Sequence, residues 1–181
     1  MTEAAIQASI ARTRAGIGHA AALDARAVRA ALADVPDPEI PVVSIVELGM
    51  VDDVRVDADG IHVTLLPTFV GCPALDMIRS SVEQRLSAFG RPLNVTFEYR
   101  VPWSSDRISP AGRTKLGASG FAPPAPVRPD EPILVQLERP VPCPNCGSRR
   151  TVLENAFGPT QCRAIYHCTA CRQPFECFKS I

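Results

Sequence analysis

The chain has 181 residues, and its 19 basic and 19 acidic side chains give a formal net charge of zero. Apolar residues make up 46% of the sequence, which is ordinary for a globular protein and argues against a chain that is disordered throughout. The balanced charge also disfavours a protein that works mainly by neutralising nucleic-acid phosphates. The length suits one or two domains, and we expect two.

Residues 1–23 are predicted to be a flexible or helical N-terminal extension. This Ala-rich stretch lacks the unbroken apolar core of a secretory leader, and no later stretch reaches the roughly 20 apolar residues of a transmembrane helix. A transit peptide is the alternative, since Ile6, Ile10 and Ile17 could line one side of a basic helix. Seven cysteines without a leader favour a reducing compartment, so we expect a cytoplasmic protein with no membrane partner.

Residues 24–108 begin with a predicted helix and a hairpin. Asp24 is a candidate N-cap for a helix that runs to Val35, where the following prolines end it. Alternating apolar residues predict strands at 51–57 and 61–65, with Asp59-Gly60 as the turn between them.

The second half of this region adds a helix and a strand. Apolar residues at helical spacing predict an amphipathic helix over 74–89, ended by Gly90. Val95, Phe97 and Tyr99 alternate as a third strand. The order α-β-β-α-β indicates an α+β domain with helices over a small mixed sheet.

Residues 109–132 are rich in proline and glycine, which predicts a partly extended and semi-rigid linker. After it, residues 133–181 contain an apolar run at 133–137 and three short apolar stretches, at 151–153, 164–166 and 175–178. These stretches are typical of the strands of a small β-rich module. A module of this size buries little core, so we expect bound metal to stabilise it.

Four cysteines in this module carry the strongest chemical signal in the sequence. Cys143 and Cys146 form one Cys-x-x-Cys pair, and Cys168 and Cys171 form a second pair, with 21 residues between the two pairs. Two such turns supply four thiolates to one ion, which predicts a closed, structural Zn²⁺ site in a zinc ribbon. Iron remains an alternative because a tetrahedron of thiolates suits both metals. We interpret His167 as an exposed strand-end residue and not as a fifth candidate ligand.

A second candidate site lies in the first domain. Asp37 and Glu39 sit in a proline-held turn, and Cys72 follows Gly71 at the passage from strand into helix. A cysteine beside a helix N-terminus is expected to favour the thiolate, which could ligate iron or accept sulfur. Thr68 is expected to hydrogen-bond within the same loop. The competing interpretation is a tight turn whose small cysteine is simply buried.

Several motifs make the chain similar to known families. Asp37-Pro-Glu-Ile-Pro, Leu48-Gly-Met-Val and Pro67-Thr-Phe-Val-Gly-Cys-Pro-Ala resemble the metal-sulfur cluster assembly domain of SufT-like proteins. With Pro102-Trp-Ser-Ser-Asp-Arg and the Cys-Pro-Asn-Cys-Gly ribbon, nearly the whole chain after residue 24 resembles the PaaD-like family of the phenylacetyl-CoA epoxidase system.

This resemblance implies an accessory protein of aerobic phenylacetate breakdown. Its partners would be the oxygenase and reductase subunits, and its task would be to help assemble or repair an iron-sulfur or iron centre. Cys72, helped by Asp37, Glu39 and Thr68, would then hold iron, sulfide or a cluster transiently. No nucleophile elbow, dinucleotide fingerprint or di-iron motif occurs, so catalysis by this chain alone is not expected.

Two alternatives remain. In the first, the protein is a structural or docking subunit with an inert Cys72, and in the second the ribbon binds nucleic acid, which its mild charge disfavours. Four further residues carry an open role. Cys162 and Cys177 are either small packing residues or spare ligands, His62 is solvated or faces a partner, and Trp103 is a core residue or an interface anchor.

Overall fold

The computed structural model describes residues 23–128, 130 and 139–181. The helices are α1 (Ala25–Leu32), α2 (Leu75–Leu86) and α3 (Pro110–Ala118), and the strands are β1 (Val51–Val56), β2 (Ile61–Leu65), β3 (Leu93–Phe97), β4 (Phe121–Ala122), β5 (Thr151–Asn155), β6 (Arg163–Cys168) and β7 (Pro174–Phe178). The N-terminal extension up to residue 22 and the apolar run at 133–137 lie outside the described residues. No helix in the described ranges is both long and apolar enough to cross a bilayer.

The first sheet has the order β1-β2-β3 and is mixed, as predicted. β1 and β2 pair antiparallel through the hairpin at Gly60, while β2 and β3 pair parallel because α2 forms the crossover between them. Ile61, Val63 and Leu65 of β2 are all buried, and α2 covers them with Ile78 and Val82. The α-β-β-α-β order and the α+β fold class are therefore confirmed.

The ends of two elements differ from the sequence prediction. Asp24 caps α1 by accepting a 2.8 Å hydrogen bond from the Ala27 amide, but the helix ends at Leu32, about one turn before the predicted end. β3 ends at Phe97, so Tyr99, which was predicted to belong to the strand, lies beyond it and is 52% exposed. Alternation of apolar residues continued past the strand, so this part of the prediction was wrong.

The expected linker, residues 109–132, contains regular structure. Ser109 caps α3 by accepting a hydrogen bond from the Gly112 amide at 3.0 Å, and Pro110 takes the first helical position, where its missing N–H costs nothing. Gly112 is needed because a Cβ there would lie 2.9 Å from the Glu47 carbonyl oxygen. The expectation of a partly extended linker is thus corrected for residues 110–118, where Pro110 starts a helix and Gly112 permits its close contact with Glu47.

The second sheet has the order β4-β7-β6-β5. β5, β6 and β7 form an antiparallel meander, and β4 from the expected linker adds to its edge parallel to β7. Tyr166 and Phe175 stack in its small core with ring centroids 5.8 Å apart. The β-rich C-terminal module is confirmed, while its first residue stays a prediction.

The two parts of the chain share a hydrophobic core. Trp103 is 6% exposed, packs 5.6 Å from the Phe178 ring of β7, and donates its indole N–H to the Leu48 carbonyl at 2.9 Å. Ile181 accepts from the Ser105 amide at 2.7 Å, so the last residue is also held by the first domain. Trp103 is therefore both a core residue and an anchor between the two sheets.

Candidate functional site

The four sulfurs of Cys143, Cys146, Cys168 and Cys171 converge. Their Sγ atoms all lie within 4.8 Å of one another, with Cys143 to Cys171 at 3.7 Å and Cys146 to Cys168 at 3.6 Å. A regular tetrahedron with Zn–S bonds of about 2.3 Å has sulfur–sulfur edges of about 3.8 Å. The spacing of the four sulfurs therefore fits one tetrahedrally coordinated metal ion. His167 does not belong to this group.

Both cysteine turns have the same backbone design. The amide of the fourth residue after the first cysteine donates to that cysteine's carbonyl, from Gly147 to Cys143 and from Arg172 to Cys168, each at 2.8 Å. Both donors lie in the left-handed region, with φ of 71° for Gly147 and 61° for Arg172. The turn aims both sulfurs of a pair to one side. Glycine suits the fourth position after the first cysteine because it adopts a positive φ without steric cost.

Arg172→Gly is expected to stabilise the ribbon by about 1 kcal/mol, because an L-residue in the left-handed region is strained by about 1–2 kcal/mol. Gly147→Ala should have the opposite effect of similar size, since no atom lies within 4 Å of the added Cβ and only the backbone conformation is penalised. The midpoint of thermal unfolding measures both. Equal midpoints for the parent and both variants would contradict this view of the turns.

The pKa values of two cysteines of the quartet, Cys168 and Cys171, are shifted in opposite directions. The amide of Cys171 helps to lower the pKa of Cys168 to about 6. Although the Gln173 amide favours its thiolate, desolvation and hydrogen bonds with the neighbouring sulfurs raise the pKa of Cys171 to about 12. A divalent cation would supply the positive charge that lets all four sulfurs ionise together.

The second candidate site begins with the turn at residues 36–44. A β-bridge between Pro36 and Ser44 closes the turn, and the Asp37 amide donates to the Val43 carbonyl at 2.9 Å. Asp37 Oδ1 accepts from the amides of Glu39 and Ile40 at 2.9 and 2.8 Å, so the carboxylate shapes its own turn. Asp37 is 9% exposed, and burial raises its pKa.

Cys72 lies in the loop between β2 and α2. Its amide donates to the Phe69 carbonyl at 3.1 Å, and its side chain is partly buried against the shared core. Phe69 and Val70 in the same loop are 40% and 74% exposed, and Met77 on the first turn of α2 is 58% exposed. Cys72 is thus reached from an apolar surface.

The expectation of a thiolate at Cys72 is corrected. The helix begins at Leu75 with Ala74 as its N-cap, so Pro73 and Ala74 separate Cys72 from the first helical residue. Burial raises the pKa of Cys72, and together with the charges of Glu39 and Asp37 it outweighs the Ala74 amide, which favours the thiolate. At neutral pH the free side chain is a thiol.

The prediction that Thr68 hydrogen-bonds within the loop is also corrected. Its side chain is 9% exposed, yet among the residues that the structure describes its hydroxyl has no hydrogen-bond partner. The predicted bond within the loop is therefore absent from the described ranges. A buried hydroxyl without a partner is costly, and such groups mark sites where a ligand or water completes the structure.

One ribbon cysteine is buried in the core of the first domain. Cys162 of the ribbon is 7% exposed and belongs to the shared core of the first domain, where Cys72 also packs. The carboxylates of Glu39 and Asp37 raise the pKa of both thiols, in each case after burial as the larger cause. By contrast, Cys177 lies in the ribbon's own core. Sequence offered no signal for the position of Cys162, because its burial in this core depends on how the two sheets pack.

The remaining candidate residue, His62, contacts a carboxylate of its own hairpin. His62 on β2 is half-buried, and its Nε2 lies 3.2 Å from Asp57 Oδ1 across the end of the hairpin. This contact is local to the hairpin and connects His62 to neither candidate site.

Comparison with known proteins finds two family models in this chain. The model described as an iron-sulfur cluster assembly protein matches residues 25–96, and the one described as a PaaD zinc beta ribbon domain matches residues 128–179. A solved domain of unknown function from Bacillus anthracis is 34% identical, with a TM-score of 0.48 over 51% of this chain and 91% of that one.

Two curated proteins are similar over most of their own length. An Escherichia coli protein, named as a putative subunit of 1,2-phenylacetyl-CoA epoxidase, is 37% identical over 84% of this chain and 90% of that protein. The Fe-S protein maturation auxiliary factor YitW of Bacillus subtilis is 36% identical over 50% of this chain and 90% of its own length. With an assembly-type domain followed by a zinc ribbon across nearly all of the Escherichia coli relative, the chain belongs to the PaaD family of phenylacetyl-CoA epoxidase proteins.

Proposed function

We propose that this protein is an accessory factor that helps to assemble or repair an iron-sulfur or iron centre in the phenylacetyl-CoA epoxidase system. Its client would be the reductase or the oxygenase, and Cys72 would hold the iron in transit. The observation that carries the proposal is the position of Cys72, which is partly exposed at an apolar surface with the Asp37 and Glu39 carboxylates acting on it. Family membership supports the same task.

The raised pKa of Cys72 suits a transient carrier. When Fe²⁺ or a cluster iron binds, the thiol gives its proton to a carboxylate or to water, and a sulfur–iron bond forms. When a client cysteine thiolate replaces Cys72 on the iron, that bond breaks and Cys72 takes up a proton again, with no change in oxidation state. Because protons compete with the metal for a thiolate, a thiol that holds its proton firmly releases its cargo more readily.

The zinc ribbon has a structural part in this proposal. Cys143, Cys146, Cys168 and Cys171 would hold one Zn²⁺ in a closed shell, which leaves no position for substrate. Elemental analysis of protein purified without oxygen is expected to give one zinc per chain. One iron per chain in its place would assign this site to the alternative metal.

Cys72→Ser tests the carrier function. We expect the variant to slow cluster or iron transfer to the reductase at least about tenfold, since it removes a metal ligand. The measurement is recovery of the client's iron-sulfur absorption, followed anaerobically with purified proteins. Cys177→Ser is the matched control, because this buried thiol lies in the ribbon core away from the site.

The same variant separates the carrier from the docking subunit. The exposed side chains of Phe69, Val70 and Met77 beside Cys72 would also suit contact with a partner protein. If Cys72→Ser keeps the full transfer rate while Val70→Asp abolishes co-purification with the epoxidase subunits, docking is the function and the carrier proposal is withdrawn.

A further inference from the structure

We propose that the outer face of the ribbon sheet docks a partner protein that presents carboxylates around an apolar contact. The outer face is the side of β5, β6 and β7 that is turned away from the stacked rings of Tyr166 and Phe175. The inference rests on the proposed function for the choice of partner, which is the client that receives the iron. It gives the ribbon a docking task at a surface separate from that around Cys72.

Strand register builds this face in rows. Val152 of β5 pairs with His167 of β6, and His167 pairs with Pro174 of β7, so the three residues form one row across the sheet. Successive residues of a strand point to opposite faces, so this row lies on the side opposite Tyr166. Val152 is 50% exposed, Pro174 is exposed, and His167 is half-buried. The row is therefore a mainly apolar strip of sheet that the rest of the described chain leaves open.

The next row contains a cavity. Ile165 pairs with Glu176, and Glu176 pairs with Phe121 of β4. A cavity of about 380 Å³ opens here, and these three residues and Pro174 are among those that line it. The Glu176 carboxylate is paired with Arg163 at 2.7 Å, so its charge is compensated. The cavity thus suits an apolar side chain of a partner, the kind of anchor that carries much of the energy of a protein interface.

The same face already forms an interface within the molecule. Beyond the cavity, Arg163 pairs with Phe178, and both are buried. Phe178 packs against Trp103 of the first domain with ring centroids 5.6 Å apart. The exposed rows continue this interface toward the zinc end without a change of strand or face. A partner that covers them would extend an existing apolar contact and would not have to create one.

Charge identifies the chemistry of the partner. Arg149 and Arg150 directly precede β5, and Arg172 lies two positions before Pro174, so three exposed guanidinium groups stand at the zinc end of the open row. Among the described residues no carboxylate pairs with any of the three. By contrast, Arg85 and Arg107 of the first domain pair with aspartates at 2.7 and 2.8 Å. Arginines around an apolar centre complement a partner with carboxylates at its rim.

Two other uses of these arginines account for less of the surface. A zinc ion with four thiolates is negatively charged, but Cys143 and Cys168 are buried, whereas the guanidinium groups extend into solvent on long side chains. Nucleic acid would use exposed aromatic rings for stacking, and the open row is aliphatic apart from His167. A protein partner uses both the arginines and the apolar strip.

The test measures binding of the full-length, zinc-loaded protein to the purified reductase and to the purified oxygenase by isothermal titration calorimetry. The parent is expected to bind one of them about tenfold more weakly at about 300 mM salt than at about 50 mM, because salt screens charges at the rim of an interface. Arg150→Glu combined with Arg172→Glu should weaken binding at low salt about tenfold or more. Val152→Thr, which keeps the β-branched shape, should weaken binding several-fold at both salt concentrations.

Two controls isolate the surface from stability. Arg172→Gly removes one charge at a turn that glycine suits, so we expect weaker binding together with a higher unfolding midpoint, which loss of structure would not give. Arg26→Glu changes an exposed arginine of α1 that also has no carboxylate partner in the described ranges, and it should bind as the parent does.

The outcomes separate this inference from the proposed function. Cys72→Ser is expected to dock as the parent does and to lose transfer. Parent-like docking in the arginine and valine variants, or no binding of the parent to either component, overturns the docking face, and slow transfer by Cys72→Ser then leaves the carrier function standing. Arginine-dependent binding to a DNA duplex, with none to the reductase or the oxygenase, assigns the face to nucleic acid and also overturns the inference.

Discussion

Cys143→Ser is expected to unfold the C-terminal sheet and to release its metal, while the sheet formed by β1, β2 and β3 stays folded. The ribbon's own core consists of a few residues around Tyr166 and Phe175, which is too small to hold β5, β6 and β7 together alone. Zinc binding to such modules contributes on the order of 10 kcal/mol to folding, so loss of a ligand should be decisive. This is the largest effect we expect from any single substitution.

Trp103 reports this change directly. It is the sole tryptophan in the sequence, and its ring packs against Phe178 of β7. When β7 leaves, we expect the fluorescence of Trp103 to shift to longer wavelength, together with less than one zinc per chain by elemental analysis. Cys177→Ser removes a buried ribbon thiol outside the quartet and is expected to retain both the metal and the emission. A folded, parent-like Cys143→Ser protein would contradict the structural role of the quartet.

Local patterns were sufficient to predict much of this fold. Ile61, Val63 and Leu65 alternate in the sequence and are buried together in β2, and the α2 residues at helical spacing cover them. The quartet was equally readable, because each pair of cysteines is set by a turn of a few residues and needs no knowledge of the distant packing. These features depend on residues that are close along the chain.

The features that were not predicted depend on residues far apart in the sequence, or on prolines and glycines, which occur both in linkers and in ordered structure. Pro110 and Gly112 indicate a linker when only the sequence is considered. In the structure Pro110 starts α3, and Gly112 permits the contact of α3 with Glu47. The protonated state of Cys72 is set by its burial and by Glu39 and Asp37, more than 30 positions away, which are brought near by the turn at residues 36–44. The burial of Cys162 in the core of the first domain requires the packing of both sheets. Sequence periodicity contains none of this information.

Gly49→Ala is the second substitution for which we expect a large loss of stability. Gly49 has φ of 68°, and a Cβ there would lie 2.4 Å from the carbonyl oxygen and 2.6 Å from the Cβ of Arg107. The left-handed strain of about 1–2 kcal/mol therefore adds to a backbone clash of similar cost, and we expect a total near 3 kcal/mol. Urea unfolding monitored by circular dichroism measures it.

Gly90→Ala is the matched control for this prediction. Gly90 has nearly the same φ, 63°, but no atom lies within 4 Å of its added Cβ, so only the backbone strain remains. The difference between the two variants thus isolates the close approach of the segment around Arg107. Equal losses of stability in the two variants would show that the segment around Arg107 moves away from the added Cβ at no energetic cost.

The position of Gly49 also ties this clash to the contact between Trp103 and Phe178. Leu48, next to it, accepts the indole N–H of Trp103, and Arg107 donates to the Gly49 carbonyl at 2.9 Å, so both bonds hold the segment that carries Trp103. Displacing that segment should loosen Phe178 and the ribbon residues that share its core, Cys162 among them. We therefore expect the fluorescence of Trp103 to shift to longer wavelength in Gly49→Ala, at temperatures where it remains folded, without loss of zinc, whereas Gly90→Ala should emit as the parent does. Parent-like emission by a destabilised Gly49→Ala protein would mean that the packing of Trp103 on Phe178 does not depend on the backbone at Gly49.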